Sequence, residues 1–243
     1  MKRHIPNALT LLNLFCGCIG VIYAVHSNFV AAAFFVFLGI FFDFFDGLAA
    51  RKLKVQSELG LQLDSLADMV TSGLVPGIVM YKLLELVELD WGVNDTSDIL
   101  FGVSVFSCFG LLITLASAYR LANFNIDTEQ QSYFKGLPTP ANALFILSLP
   151  LIMEFQNNDA INAIILNKWF LIGVTLLSAY LLNSGIKLFA LKFKDYSFKG
   201  NATRYIFIML CMVLLIVLQF AAIPLLILLY IAMSVLDNLI SKS

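Results

Sequence analysis

DFFDGLAARKLKVQSELGLQLDSLAD, Asp43 to Asp68, places four carboxylates in sequence otherwise apolar enough to span a membrane. Asp43 and Asp46 close the run AAAFFVFLGIFFDFFDGLAAR, and Asp64 and Asp68 open the run GLQLDSLADMVTSGLVPGIVMY. The first pair is spaced i to i+3 and the second i to i+4, so each pair lies on one face of its own helix. A short polar link, Lys52 to Leu59, makes the helices antiparallel neighbours with all four acids at one end. An unpaired Asp in hydrocarbon costs about 2.5 to 3.5 kcal/mol, so four together require neutralisation. Arg51 alone carries too little charge for that, and a set of hard oxygen ligands favours magnesium, manganese or calcium. Gly47 and Gly60 leave bare backbone on both sides of the acids, Ala50 is small, and Arg51 offers a planar fork to phosphate oxygens. The combination suggests a site for a metal-bound diphosphate.

Outward from this stretch the chain is all-α in expectation, a polytopic membrane helical bundle. Apolar segments at 8–27, 30–50, 60–84, 99–121, 138–154, 163–186, 204–221 and 223–240 suggest about eight transmembrane helices, the fifth of them short. Of the 243 residues 60% are hydrophobic and 13% charged, with a mean hydropathy of +0.89, which excludes a soluble core. Lys2 and Arg3 precede an apolar segment without a clear cleavage site, so the first helix is expected to be retained. The whole of 1–243 reads as one membrane domain, with a catalytic core over about 1–186 and a C-terminal helix pair over about 200–243. A net charge of -1 singles out no partner, and no nucleic-acid partner is expected. The four cysteines all fall in apolar runs, which argues against a disulfide framework.

Orientation follows from the basic residues. With a cytoplasmic N-terminus and eight crossings, thirteen of the 15 Lys and Arg face inward: Lys2, Arg3, Arg51, Lys52, Lys54, Arg120, Lys135, Lys187, Lys192, Lys194, Lys199, Arg204 and Lys242. Only Lys82 and Lys168 then lie outside, among acidic loops that include Glu85, Glu88, Asp95 and Asp98. A multi-pass protein of the cell membrane is expected, with both termini and the acid cluster on the cytoplasmic side.

Asp43, Asp46, Gly47, Ala50, Arg51, Gly60, Asp64 and Asp68 fit the pattern D-x2-D-G-x2-A-R-x8-G-x3-D-x3-D, and in this the chain resembles the CDP-alcohol phosphatidyltransferases. The resemblance implies transfer of a phosphate-linked group from a CDP-activated donor to an alcohol, with release of CMP. It implies two divalent cations, Mg2+ or Mn2+, held by Asp43, Asp46 and Asp64 with a contribution from Asp68, which is also the expected catalytic base. Gly47, Ala50, Arg51 and Gly60 are expected to line the CDP site. Pro6, Asn7 and Thr10 resemble the family's first helix, where polar groups approach the cytidine end. Read from the residues alone, they equally suit a helix start with an early proline. Homodimers are implied by the resemblance, with no interface fixed by the sequence.

The flanks bear on the acceptor. IPNALTLLNLFCGCIGV, LDSLADMVTSGLVPG, AYRLANFN and FKGLPTPANA resemble the membrane-integral phosphatidylserine synthases within that family. CDP-diacylglycerol and L-serine are the substrates this implies, in a lipid membrane. Arg120, Asn123, Asn125 and Lys135 are the expected serine-binding residues. One or two cations suit an amino acid, whereas glycerol 3-phosphate or an inositol phosphate, the alternative acceptors, would need more. The chain departs from the synthase pattern at Asn123, where Arg is usual, and Arg120 is the expected partner of the serine carboxylate.

Blander readings stand beside these. Acids in a membrane also mark the path of an ion-coupled transporter, which has no need of this Gly and Arg spacing. Ser72, Gly73, Pro76 and Gly77 suit close packing or a kink in the third span. The Phe-rich second span suits lipid or packing, and His4 and His26 are assigned no role.

Overall fold

The computed structural model describes residues 4–90, 99–100, 103–126, 134–156, 158–188 and 198–240. Lys2, Arg3, Asp95, Asp98, Lys192, Lys194 and Lys242, on which the orientation partly rests, lie outside the described residues. Ten α-helices are described: α1 (His4–Val25), α2 (Phe29–Leu53), α3 (Glu58–Asp68), α4 (Val75–Asp90), α5 (Leu112–Ile126), α6 (Thr139–Gln156), α7 (Asp159–Ile165), α8 (Lys168–Asn183), α9 (Phe198–Leu218) and α10 (Ala222–Ile240). Two short antiparallel ladders join β1 (Ile99–Leu100) to β2 (Val103–Ser104), and β3 (Phe134–Lys135) to β4 (Lys187–Leu188). The expected helical membrane bundle is the observed one.

Its core lies around α4 and α6. Val79, Met80, Leu83 and Leu84 of α4 meet Ile146, Leu147 and Leu149 of α6, with Ala32, Ala33 and Val36 of α2 and Leu171 of α8 closing the cluster. Large apolar side chains also cover the outside: Phe15, Phe34, Phe41, Phe44, Leu115, Trp169 and Ile216 are all exposed. A surface of this kind suits lipid rather than water. The rings of α2 belong to it, with Phe41 and Phe45 4.6 Å apart on the outer face, as the packing-or-lipid reading has it.

The count of about eight spans is not confirmed. Among the described residues, His4–Val25, Phe29–Leu53, Glu58–Glu88 and Phe207–Leu236 are long and apolar enough to cross a membrane, and α7 with α8 makes a fifth if that bent pair is one span. Length and apolarity thus pick out four or five runs among the described residues. The last run is itself folded back: the Phe207 and Tyr230 rings are 5.6 Å apart, whereas 23 residues of straight helix would separate them by about 34 Å. A 3-10 turn, Gln219–Ala221, makes the bend, with Gln219 at φ 48°.

The expected segment 99–121 is helical only from a 3-10 turn at Ser107–Leu111 onward. There Ser104 Oγ accepts the Ser107 amide at 3.1 Å, and the Ser104 and Ser107 hydroxyls both donate to Glu88. The expected segment 163–186 is broken at Leu166–Asn167, with a bend of 61°. Asn167 Oδ1 caps α8 by accepting from the Trp169 amide at 2.9 Å, which starts a new helix where apolarity alone read through. At 18 residues α6 reaches about 27 Å, a little short of the hydrocarbon thickness.

One irregularity positions the site. Between α3 and α4 the chain makes a π-helix, Met69–Leu74, in which the Val75 amide bonds back to Val70 O. Pro76 would otherwise clash with the carbonyl one turn before it, and the wider turn accommodates its ring. Gly73 and Gly77 let this segment close on α5: a Cβ at Gly73 would stand 3.1 Å from Ser117 Cβ, and one at Gly77 would strike Thr114. The packing reading of these residues is the one observed.

Candidate functional site

α2 ends at Lys54, whose left-handed backbone (φ 55°) returns its amide to Ala50 and Arg51 carbonyls. Three residues later Ser57 caps α3, accepting the Gly60 amide at 3.1 Å. This tight reversal sets α2 and α3 antiparallel, as the short polar link requires. Asp43, Asp46 and Asp64 meet with carboxylate oxygens all within 4.8 Å of one another. Asp68, one turn beyond Asp64, stands outside that group of three and is held from α1, where Asn13 Nδ2 donates to its Oδ1 at 3.2 Å. Also from α1, the Thr10 hydroxyl is 2.5 Å from Asp46 Oδ2.

The three-acid group suits a divalent cation. Its donors are all hard oxygens, Asp64 Oδ1 is buried with no hydrogen-bond partner, and the ion pair among the described residues, Lys82 with Glu85, is elsewhere. An unpaired buried carboxylate oxygen is costly, and a cation at this point would satisfy it.

A cavity of about 720 Å³ opens over the acids. Pro6, Asn7, Thr10, Gly47, Ala50, Arg51 and Gly60, all seven residues expected around the donor, line it together with Asp46 and Asp64. Thr10 is turned to Asp46, so it orients a carboxylate as well as lining the wall. A Cβ at Gly47 would find only Arg51 at 3.8 Å, an ordinary contact. Packing therefore does not require glycine there; the space it leaves belongs to the cavity.

A second cavity of about 320 Å³ holds Arg120, Asn123 and Lys135, with Asn183, Ser184 and Gly185 opposite. Phe124 lines both cavities and is their common wall. Arg120 is 8% exposed, and its Nε has no hydrogen-bond partner. Its charge and that of Asp68 act on one another. Asn125, expected in this group, is placed elsewhere: it accepts from Ser65 Oγ at 3.1 Å and donates to Gln62 Oε1 at 3.4 Å, tying α5 to α3. Two positions further along a helix is some 200° around it, so Asn123 and Asn125 face different neighbours.

Sequence reasoning missed Asn13, Phe124 and the 183–185 wall. A signal for Asn13 was present, since Pro6, Thr10, Asn13, Gly17, Gly20 and Ala24 recur at helical spacing and form the buried face of α1. Phe124 and the 183–185 wall carry no such signal, because only the meeting of α5, β3 and the end of α8 makes them lining residues.

Residues 3–180 match the sequence model of the CDP-alcohol phosphatidyltransferases. The chain is similar to the CDP-diacylglycerol-serine O-phosphatidyltransferase of Bacillus subtilis, at 34% identity over 162 residues covering 67% of this chain and 81% of the relative. It is similar to those of Helicobacter pylori, at 32% over 149 residues (60% of this chain, 57% of the relative), and Saccharomyces cerevisiae, at 30% over 162 residues (60% and 53%). Of these last two it spans little more than half the length. With the matched region holding all four acids and both helices that carry them, this chain belongs to the CDP-alcohol phosphatidyltransferase family.

Proposed function

We infer that the protein transfers the phosphatidyl group of CDP-diacylglycerol to the hydroxyl of L-serine, giving phosphatidylserine and CMP. Membership of the family supports the donor chemistry, and the printed activity of the relatives from three organisms supports serine as acceptor. The observation on this chain that carries the acceptor is Arg120, a buried guanidinium with an unpartnered Nε in a cavity that shares Phe124 with the cavity over Asp46 and Asp64. A buried cation without a fixed counter-ion suits a substrate carboxylate.

The donor's CDP end lies in the larger cavity, with Arg51 offered to its phosphates and bare backbone at Gly47 and Gly60 beside it. Arg120, Asn123 and Lys135 hold serine on the far side of Phe124. Asp68, kept in place by Asn13, takes the proton of the serine hydroxyl. The oxygen forms its bond to the lipid-side phosphorus as the bond to CMP breaks, and Arg51 stabilises the charge on the leaving phosphate. Asp43, Asp46 and Asp64, with Asp68 contributing, would hold two divalent cations, Mg2+ or Mn2+, which supply charge neutralisation for the diphosphate.

The protein works as one membrane domain, a core over about 1–186 followed by the helix pair over about 200–243, with both cavities and both termini on the cytoplasmic side. It acts as a homodimer in the lipid membrane.

Purified protein given CDP-diacylglycerol and one alcohol at a time tests the reading. CMP release with L-serine is the expected result. Release only with glycerol 3-phosphate or an inositol phosphate would replace serine, and release with none would remove the transfer reaction.

A further inference from the structure

The helix pair α9–α10 lies outside the family match, which ends at residue 180, and Met209, Met212, Ile216 and Val217 of α9 are all more than half exposed. Its contacts with the body include one at its turn and one along α10. At its turn, Gln156 Nε2 donates to Leu218 O at 2.5 Å and Phe155 stacks on Phe220 at 5.1 Å. Midway along α10, Ile227, Tyr230 and Ile231 pack on a separate small cluster of Leu137, Leu181 and Leu188.

That cluster is built on the two chain segments that also supply Lys135 and Leu182–Gly185 to the second cavity. Leu188 lies on β4, which pairs Lys187 with Lys135. Beside it the Gly136 amide donates to Ile186 O at 2.9 Å and the Leu137 amide to Leu181 O at 2.8 Å, so the β3 strand clamps the end of α8. Gly136 sits at φ 71°, and a Cβ there would stand 2.6 Å from Leu182 O. The clamp is therefore closed without slack, and it carries Lys135 on one side and Ser184 and Gly185 on the other. The larger cavity draws no residue from it.

We propose that α10 positions the second cavity, with Ile231 as a positioning residue that, through the Leu137–Leu188 cluster, sets affinity for the acceptor and leaves the donor site alone. The inference rests on the second cavity being the acceptor site. Ile231 is chosen because Ile227 also packs on the main core, where its loss would cost general stability. In a membrane such a contact acts by fit rather than by exclusion of water, so shortening the side chain loosens the clamp.

The test is steady-state CMP release by the full chain in detergent with CDP-diacylglycerol and whichever of L-serine, glycerol 3-phosphate or inositol phosphate the wild type uses. Ile231→Ala is expected to raise the acceptor KM by about tenfold with the donor KM within about twofold, and Ile231→Val to restore most of the loss. Phe220→Ala, which loosens the same hairpin at its turn and removes a contact with the main core, controls for a general loss of stability and is expected to leave the acceptor KM unchanged. Should Ile231→Ala not purify as a folded protein, Ile231→Val carries the comparison through the ratio of its two KM changes. Equal changes in both KM values, no change in either, or the same acceptor shift from Phe220→Ala overturns the proposal. Use of an alcohol other than serine would overturn only the serine reading, and failure of every alcohol to release CMP would remove both.

Discussion

Asn13, fully buried in α1, donates its side-chain amide to Asp68 of α3 across 3.2 Å and 55 residues of chain. The same residue's backbone carbonyl accepts the Thr71 hydroxyl at 3.1 Å, so both ends of Asn13 fix the segment that follows Asp68. Replacing it leaves the carboxylate free to turn. Asn13→Ala is expected to lower kcat by about ten- to a hundredfold with little change in the donor KM, measured by CMP release. An unchanged kcat would remove Asn13 as the residue that orients Asp68.

Asp68→Asn keeps the shape of the side chain and the hydrogen bond from Asn13 but cannot take a proton. Turnover should be lost while CDP-diacylglycerol still binds, as read by its protection of the protein against thermal unfolding in detergent. Turnover that survives would deny Asp68 its role as base.

Arg120 lines the smaller cavity and not the larger one. A charge-assisted hydrogen bond contributes about 1.5 to 3 kcal/mol, so Arg120→Ala should raise the serine KM by about ten- to a hundredfold. The donor KM should stay within about threefold. Equal rises in both would place Arg120 in a common structural role.

Gly47 and Gly39 lie on the same helix and should respond in opposite ways. A methyl at Gly47 meets only Arg51 at 3.8 Å, so Gly47→Ala should fold at least as well as the wild type, gaining up to about 1 kcal/mol of helix propensity, while donor affinity falls. A methyl at Gly39 would stand 2.7 Å from Thr71 Cγ2 and 2.8 Å from Asn13 Oδ1, so Gly39→Ala should lower the melting temperature in detergent. Loss of fold at Gly47, or none at Gly39, would contradict the packing described.

Chelation should abolish CMP release, and added Mg2+ or Mn2+ should restore it. Asp64→Asn should raise the metal concentration needed both for activity and for metal-induced thermal stabilisation. A variant with unaltered metal response would remove Asp64 from the ligand set.

How much of this was legible in the letters depends on the range of the interaction. That Gly47, Ala50, Arg51 and Gly60 would share one cavity was legible because they lie within two helical turns of an acid, where spacing fixes the face. Asn125 was grouped with Arg120 on proximity in sequence, yet it bonds Ser65 and Gln62 of α3. The break at Asn167 and the 3-10 start at Ser107 were hidden inside apolar segments, since hydropathy reports solvent preference and not where the backbone turns.

By itself the sequence determined a membrane class, two acid pairs each on one helical face, and a reversal short enough to make them meet, all consequences of composition and local periodicity. Tertiary structure alone decided that Asn13 holds Asp68, that Phe124 divides the two cavities, and that the last helix pair folds back onto the clamp beside Lys135. Those contacts join segments far apart in the chain, and among apolar helices in lipid it is the fit of particular side chains, which no periodicity records, that selects the partners.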